Sequence, residues 1–213
     1  MILAIDTAGT TTGVALHDGH EVCGESLWVS RGHQTASLGP EVALLLRRLE
    51  MFGKDLRAVA VAQGPGSYTG LRAGIAFAKG FALTFRLPLI AVPTLDILAA
   101  SQPGRSEPML AVIQAGRGRV AAVWYKWTGV SWEAAEQPAS LTWPEIIAGL
   151  TGQCLICGEI DRDARELLRG EKRALLVSPA LSVRRPAFLA ELAWERLRSG
   201  EQFPAAMVKP IYL

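Results

Sequence analysis

The sequence predicts an α/β protein of two successive modules, each a meander of short strands followed by alternating helices and strands. Three observations carry this. Short apolar runs end in Gly-, Thr- or Asp-containing turns, and helical stripes of period 3.6 stand between the later runs. The same order then starts again after "SQPGRSEP", Ser101 to Pro108. At 213 residues, 50% of them hydrophobic, the chain is long enough for one large core or two smaller ones.

The first module opens with "ILAIDT" (Ile2 to Thr7), "GVALHDG" (Gly13 to Gly19) and "EVCGESLWVS" (Glu21 to Ser30), a three-stranded meander. Pro40 suits the first turn of a helix striped by Val42, Leu45, Leu46 and Leu49 and stopped at Gly53. "RAVAVAQ" is a buried strand feeding "GPGSYTGLRAGIAFAKGFAL", a turn and a helix, and "PLIAV" and a helix from Thr94 follow. The second module reads as a hairpin of "MLAVIQAG" and "GRVAAVWYKW", a third strand in "SWEAAEQPASL", and the short helix "WPEIIAGL". The strand "QCLICGE", the helix "DRDARELLRG", the strand "ALLVS" and the helix "RPAFLAELAWERLRSG" complete it. The division is therefore expected at residues 1–102 and 103–213, with the last helix, 186–199, a candidate to pack back across the lobes. Repetition of the order suggests a duplication.

A formal net charge of +2 gives no electrostatic footprint of a stand-alone nucleic-acid binder. Three cysteines do not make a disulfide framework. The opening "MILAIDTAG" lacks a basic leader region, and no run is apolar over about twenty residues. A cytoplasmic protein without membrane association is expected.

Two stretches have a use in phosphate chemistry. In "AIDTAGTTTGVAL", turn amides and the hydroxyls of Thr10, Thr11 and Thr12 suit phosphate oxygens while Asp6 suits a hydrated cation. In "GPGSYTG", Gly64 and Gly66 turn the chain, and the amides from Ser67 through Thr69 to Gly70 open a helix, where anions are favoured. Each has a plainer reading, as a polar hairpin satisfying its own amides and as a helix capped by Ser67 or Thr69. The residues leave both readings open.

The helix after that turn is unusual in being apolar on two sides. Leu71, Ile75, Ala78 and Ala82 form one stripe and Gly74, Phe77, Phe81 and Phe85 another, leaving only Arg72 and Lys79 charged. One side packs on its own sheet; the other calls for the second module or another chain. Gly70, Gly74 and Gly80 each cost on the order of 1 kcal/mol of helix propensity, and suit a close backbone approach from within the domain or from a partner.

Catalytic signals are lacking. His17, His20 and His33 form no metal-ligand spacing and read as exposed or capping residues. Cys154 and Cys157 have CxxC spacing inside an apolar strand, which favours buried thiols over a redox pair. No GxSxG elbow surrounds Ser67. Trp124, Tyr125 and Trp127, near Arg117 and Arg119, read as strand packing with base stacking as the lesser alternative. The charges of Arg162 to Arg173 alternate in sign and read as a solvated face.

Four segments together, "ILAIDTAGTTTGVAL", "GPGSYTGLRAGIAFAKGFAL", "QAGRGRVAAVWY" and the terminal "PIYL", resemble the TsaB (YeaZ) family of tRNA threonylcarbamoyladenosine biosynthesis, in order over nearly the whole chain. The resemblance implies an actin-like ATPase fold of two ribonuclease-H-like lobes. It implies a non-catalytic relative of TsaD, the subunit that modifies the adenosine beside the anticodon in tRNAs reading codons that begin with A. The His-x-x-x-His metal motif of TsaD does not occur here. The expected partners are TsaD in a heterodimer, the small ATPase TsaE docked on that pair, a second copy of the chain when TsaD is absent, and tRNA through the complex. Carried over, the family interface falls on helices Pro40 to Met51 and Thr69 to Leu83, through Val42, Leu45, Leu46, Leu49, Leu71, Gly74, Ile75, Phe77, Ala78 and Phe81. No catalytic residue, metal or cofactor is expected. The alternative is a nucleotide-binding ATPase or phosphotransferase using ATP and Mg at the Asp6 and Gly64 loops.

Overall fold

In the computed structural model, which describes residues 1–30, 34–201 and 203–213, the first sheet grows around β1 (Ile2–Asp6). β1 pairs antiparallel with β2 (Thr11–His17), which pairs antiparallel with β3 (Val22–Val29). On its other side β1 runs parallel to β4 (Ala58–Gly64), and β4 parallel to β5 (Leu89–Pro93), giving the order β3-β2-β1-β4-β5. β1 and β4 are near-continuous apolar runs because both sheet faces are covered. On one face, α1 (Gln34–Arg48) and α2 (Tyr68–Phe85) close a core over Leu3, Ile5, Val14, Leu16, Val59 and Val61.

The other face is covered from far along the chain. After α3 (Thr94–Ala100) and the whole second sheet, α6 (Pro186–Arg198) returns to lie on β1 and β2 with Leu189, Ala190 and Ala193 buried. Pro186 occupies the space a side chain at Gly13 would need, and Trp194 the space beside Gly19. Glu25 of β3 accepts from the Ala187 amide at 2.9 Å and pairs with Arg185. The chain therefore divides into Met1–Ile97 with Arg185–Tyr212, and Leu98–Arg184 with Leu213. The division falls inside α3 rather than at 102, and residues 185–212 belong to the first unit rather than the second, because α6 buries its apolar stripe on the first sheet.

α1 also departs from expectation. It begins at Gln34 and ends at Arg48, so Pro40 lies inside it instead of opening it. Leu38 is buried one turn ahead of Val42 and extends the apolar stripe backwards.

The second sheet is built on β6 (Met109–Gly116), β7 (Arg119–Trp127), β8 (Trp132–Ala134), β9 (Ala139–Thr142), β10 (Cys154–Gly158) and β11 (Ala174–Leu176). Its order is β11-β10-β6-β7-β8, with β9 also paired to β7. β6 is antiparallel to β7 and parallel to β10, and β10 is parallel to β11. Strand for strand this repeats the order and directions of the first sheet, which is the ribonuclease-H-like arrangement of an actin-like fold. "SWEAAEQPASL" forms two strands, not one, broken ahead of Pro138, which has no amide to give a ladder. α4 (Trp143–Gly149) starts in a capping box between Thr142 and Glu145, and α5 (Arg162–Arg169) is capped by Asp161. Both help close a core of Leu110, Val112, Trp143, Ile146, Ile156 and Leu168.

Candidate functional site

The two phosphate-like stretches meet at the ends of β1 and β4, joined by one amide and one hydroxyl bond between them, and their other amides named here find acceptors nearby. The Ala8 amide donates to Asp6 Oδ1 at 2.8 Å, and the Ser67 amide donates to the Ala8 carbonyl at 2.7 Å. Gly64 donates to Thr94 Oγ1 at 3.0 Å, and Gly70 to Ser67 Oγ at 3.3 Å, which makes Ser67 the helix cap. Thr7 Oγ1 donates to the Gly70 carbonyl at 2.7 Å. A side chain on Gly66 or Gly70 would strike the backbone of Ala8 or Thr7, so these glycines serve close packing between two loops. Asp6 is buried. Thr11 and Thr12 are the first residues of β2, opposite Val29 and Trp28, and Thr10 and Thr69 are exposed. Thr12 Oγ1 is buried and makes no hydrogen bond among the described residues.

α2 presents two unlike faces. Leu71, Gly74, Ile75 and Ala78, named above as partner contacts, are buried in the first unit's own core. Val42, Leu45 and Leu46 of α1 are buried there too, Leu45 against Gly24 of β3. These seven cannot form a partner surface while the unit is folded. The carried-over assignment fails for them because a 3.6-residue apolar stripe marks whichever face is covered, and here the covering element is the sheet. Leu49, Phe77 and Phe81 are half-buried at the margin of the core. Phe77, Phe81 and Phe85 form a ladder along α2, with ring centroids 6.1 and 4.8 Å apart.

The outward face of α2 carries Tyr68, Arg72, Ala76, Gly80 and Leu83, one per turn, with Tyr68 59% and Leu83 70% exposed. Ala36, Pro40 and Ala43 are the exposed counterparts on α1. Nothing lies within 4 Å of the position a Cβ on Gly80 would take. The face is mostly uncharged and small in its middle, with the Arg72 guanidinium, stacked on Tyr68 at 5.2 Å, near one end. Sequence reasoning missed it because Gly80 reads like Gly70 and Gly74 until burial separates them.

The remaining candidates are occupied within the protein. His17 is buried, not exposed, and its Nδ1 accepts from the Gly19 amide at 2.9 Å; His20 is exposed, and His33 lies outside the described residues. Among the described residues, Asp18, Glu21 and Cys23 bring ligand atoms within 4.8 Å of one another. The Asp18 carboxylate accepts from the amides of Glu21 and His20, which hold its pKa below the usual value. Burial raises the Cys154 thiol to about 11 and the Cys157 thiol to about 12, so neither is a ready thiolate. Tyr125 is buried, Trp127 stacks edge-on with Trp132 at 5.6 Å, and Arg119 holds Ser140 and Glu145. No helix among the described residues is long and apolar enough to cross a membrane.

Comparison with known proteins bears on the family and the fold. The family model described as TsaD, tRNA N6-adenosine threonylcarbamoyltransferase, matches residues 28–158, more than half of the chain. The tRNA threonylcarbamoyladenosine biosynthesis protein TsaB of Bacillus subtilis is 37% identical over 119 residues, 56% of this chain and 52% of that protein. TsaB of Escherichia coli is 37% identical over 145 residues, 64% of this chain and 62% of that one. The matched stretches thus span less than two thirds of these relatives. YeaZ from Pseudomonas aeruginosa superposes with a TM-score of 0.79 at 26% identity, covering 99% of each chain. The Acidaminococcus fermentans (R)-2-hydroxyglutaryl-CoA dehydratase component A, at 13% identity and a TM-score of 0.52 over 92% of this chain and 98% of that one, shares the fold alone. By the family model, these relatives and the YeaZ structure, the chain belongs to the TsaB/YeaZ family, within the reach of the TsaD family model.

Proposed function

We propose that this chain is a non-catalytic subunit of tRNA threonylcarbamoyladenosine biosynthesis in the cytoplasm, docking on TsaD through the outward face of α1 and α2. TsaE joins the pair, tRNA is met through the complex, and the same face pairs two copies when TsaD is absent. The observation that carries the reading is the stripe Ala76–Gly80 with its neighbours: an exposed glycine inside a helix costs about 1 kcal/mol against alanine, a cost that close approach by a partner helix offsets. The match to the TsaD family model and the printed role of the TsaB relatives support it. Docking without nucleotide in this chain is part of the proposal; the internal acceptors of the Ala8, Gly64, Ser67 and Gly70 amides support it.

The test is calorimetric titration against TsaD without nucleotide, using Ala76→Glu and Gly80→Glu. Both side chains enter open surface, so the variants are expected to unfold at the wild-type temperature or slightly above it. Affinity is expected to fall about 100-fold or more, because each carboxylate would be desolvated against an apolar partner. Unchanged affinity in both variants would reject this face.

A further inference from the structure

Beyond α6 the chain runs back along the first unit, pairing Phe203 with Leu89 of β5 and burying Val208 in the core shared by α1 and α2. It ends on the turn that leads into α2. Gln63 grips it twice: the side-chain amide donates to the Lys209 carbonyl at 3.0 Å, and the Gln63 carbonyl accepts from the Ile211 amide at 2.9 Å. The Ile211 carbonyl takes the space over Gly64, whose φ of +122° also favours glycine. The Tyr212 ring lies 5.0 Å from that of Tyr68, the first residue of α2, and the Tyr68 hydroxyl accepts from Arg72 at 2.9 Å. Ile211 and Tyr212 nonetheless stay 37% and 44% exposed.

We propose that Lys209–Tyr212 is a releasable strap on the β4–α2 turn. Seated, it fixes Gln63 and Gly64 and extends the outward face of α2 with the Tyr212 ring, beside Tyr68 and Arg72. Released, it frees the turn and removes an aromatic anchor from that end. Among the described residues it is held by a pair of hydrogen bonds, the Ile211 backbone over Gly64 and a ring contact at the surface, whereas Val208, one residue before it, is buried; local opening therefore separates the strap from the core and leaves the sheet intact. Partner docking on α2 and seating of the strap then favour each other, a consequence that rests on the docking reading above, while the strap itself does not.

The test uses the full chain carrying Gln63→Ala with Tyr212→Ala, two surface-reaching side chains outside the core. Hydrogen exchange at the amides of Ser67, Gly70 and Leu71 is expected to quicken about tenfold, with the amides of β1 unchanged. Unchanged exchange at α2's first turn overturns the strap. Faster exchange with wild-type affinity for TsaD overturns its coupling to docking. Because exchange is read on the isolated chain, failure of TsaD to bind the wild type would reject the docking reading without touching this result.

Discussion

α2 and α5 occupy the same place in the two repeated sheets, each following the parallel strand beside the central one, and they differ in almost every other respect. α2 runs 18 residues with Arg72 and Lys79 as its charges, whereas α5 runs 8 residues and carries Arg162, Asp163, Arg165, Glu166 and Arg169. Both bury an inner stripe, Leu71, Ile75 and Ala78 in one and Ala164 and Leu168 in the other. The topology decides where the helix lies and which side faces the sheet. The outer side is free to vary, and in α5 it is solvated while in α2 it is mostly uncharged and small in its middle. The first hairpins of the two sheets differ likewise: the loop between β1 and β2 packs on the glycine-rich loop ahead of α2, whereas β6 and β7 close on a two-residue Arg117–Gly118 turn with both φ positive.

Breaking the inner side of α2 should have the largest effect. Gly74→Glu drives a side chain into the Thr7 hydroxyl and buries a carboxylate, so at least about 4 kcal/mol of stability is expected to be lost in urea unfolding, or soluble expression lost altogether. The outer side is expected to answer in the opposite direction: Gly80→Ala meets open space and should raise stability by roughly 0.5–1 kcal/mol in the same measurement. The smallest effect belongs to the segment after α5. The Arg173 guanidinium and amide hold the Glu171 carboxyl at about 2, below its ordinary 4.5. A depressed acid stabilises the fold above its unfolded pKa, so the contribution is full above about 4.5 and is lost as pH falls towards about 2. The difference in melting temperature between wild type and Glu171→Gln should shrink across that window, and a difference constant from pH 5 to 2 would remove the role of this pair.

Much of this was legible from residues alone. "ILAID", "AVAVAQ" and "CLICG" read as buried strands because a parallel strand covered on both faces has no polar alternation to hide it, and Ser67 stood where a helix cap belongs. What could not be read was which element covers which face. The apolar runs of β1 and β4 required cover on both sides; the last helix, 186–199, was a candidate to pack back, but periodicity does not say on which strands, and the structure lays it on β1 and β2. The same limit made buried residues look like candidates for docking: Ile75 and Ala78 share the periodic signal of any buried contact, and the packing of Thr7 against Gly70 and Gly74 distinguishes those glycines from Gly80. Pro40 misled for a local reason, since proline suits a first turn and the buried Leu38 ahead of it was a weaker signal.

The return of α6 to the first sheet sets an order of events during synthesis. Leu98–Arg184 is continuous in sequence and can complete its core as soon as it leaves the ribosome. β1 and β2, made first, wait for a cover made last: Gly13 meets Pro186, and Gly19 meets Trp194, only after some 170 further residues have been joined. During that interval one side of these strands lacks the apolar cover that α6 supplies.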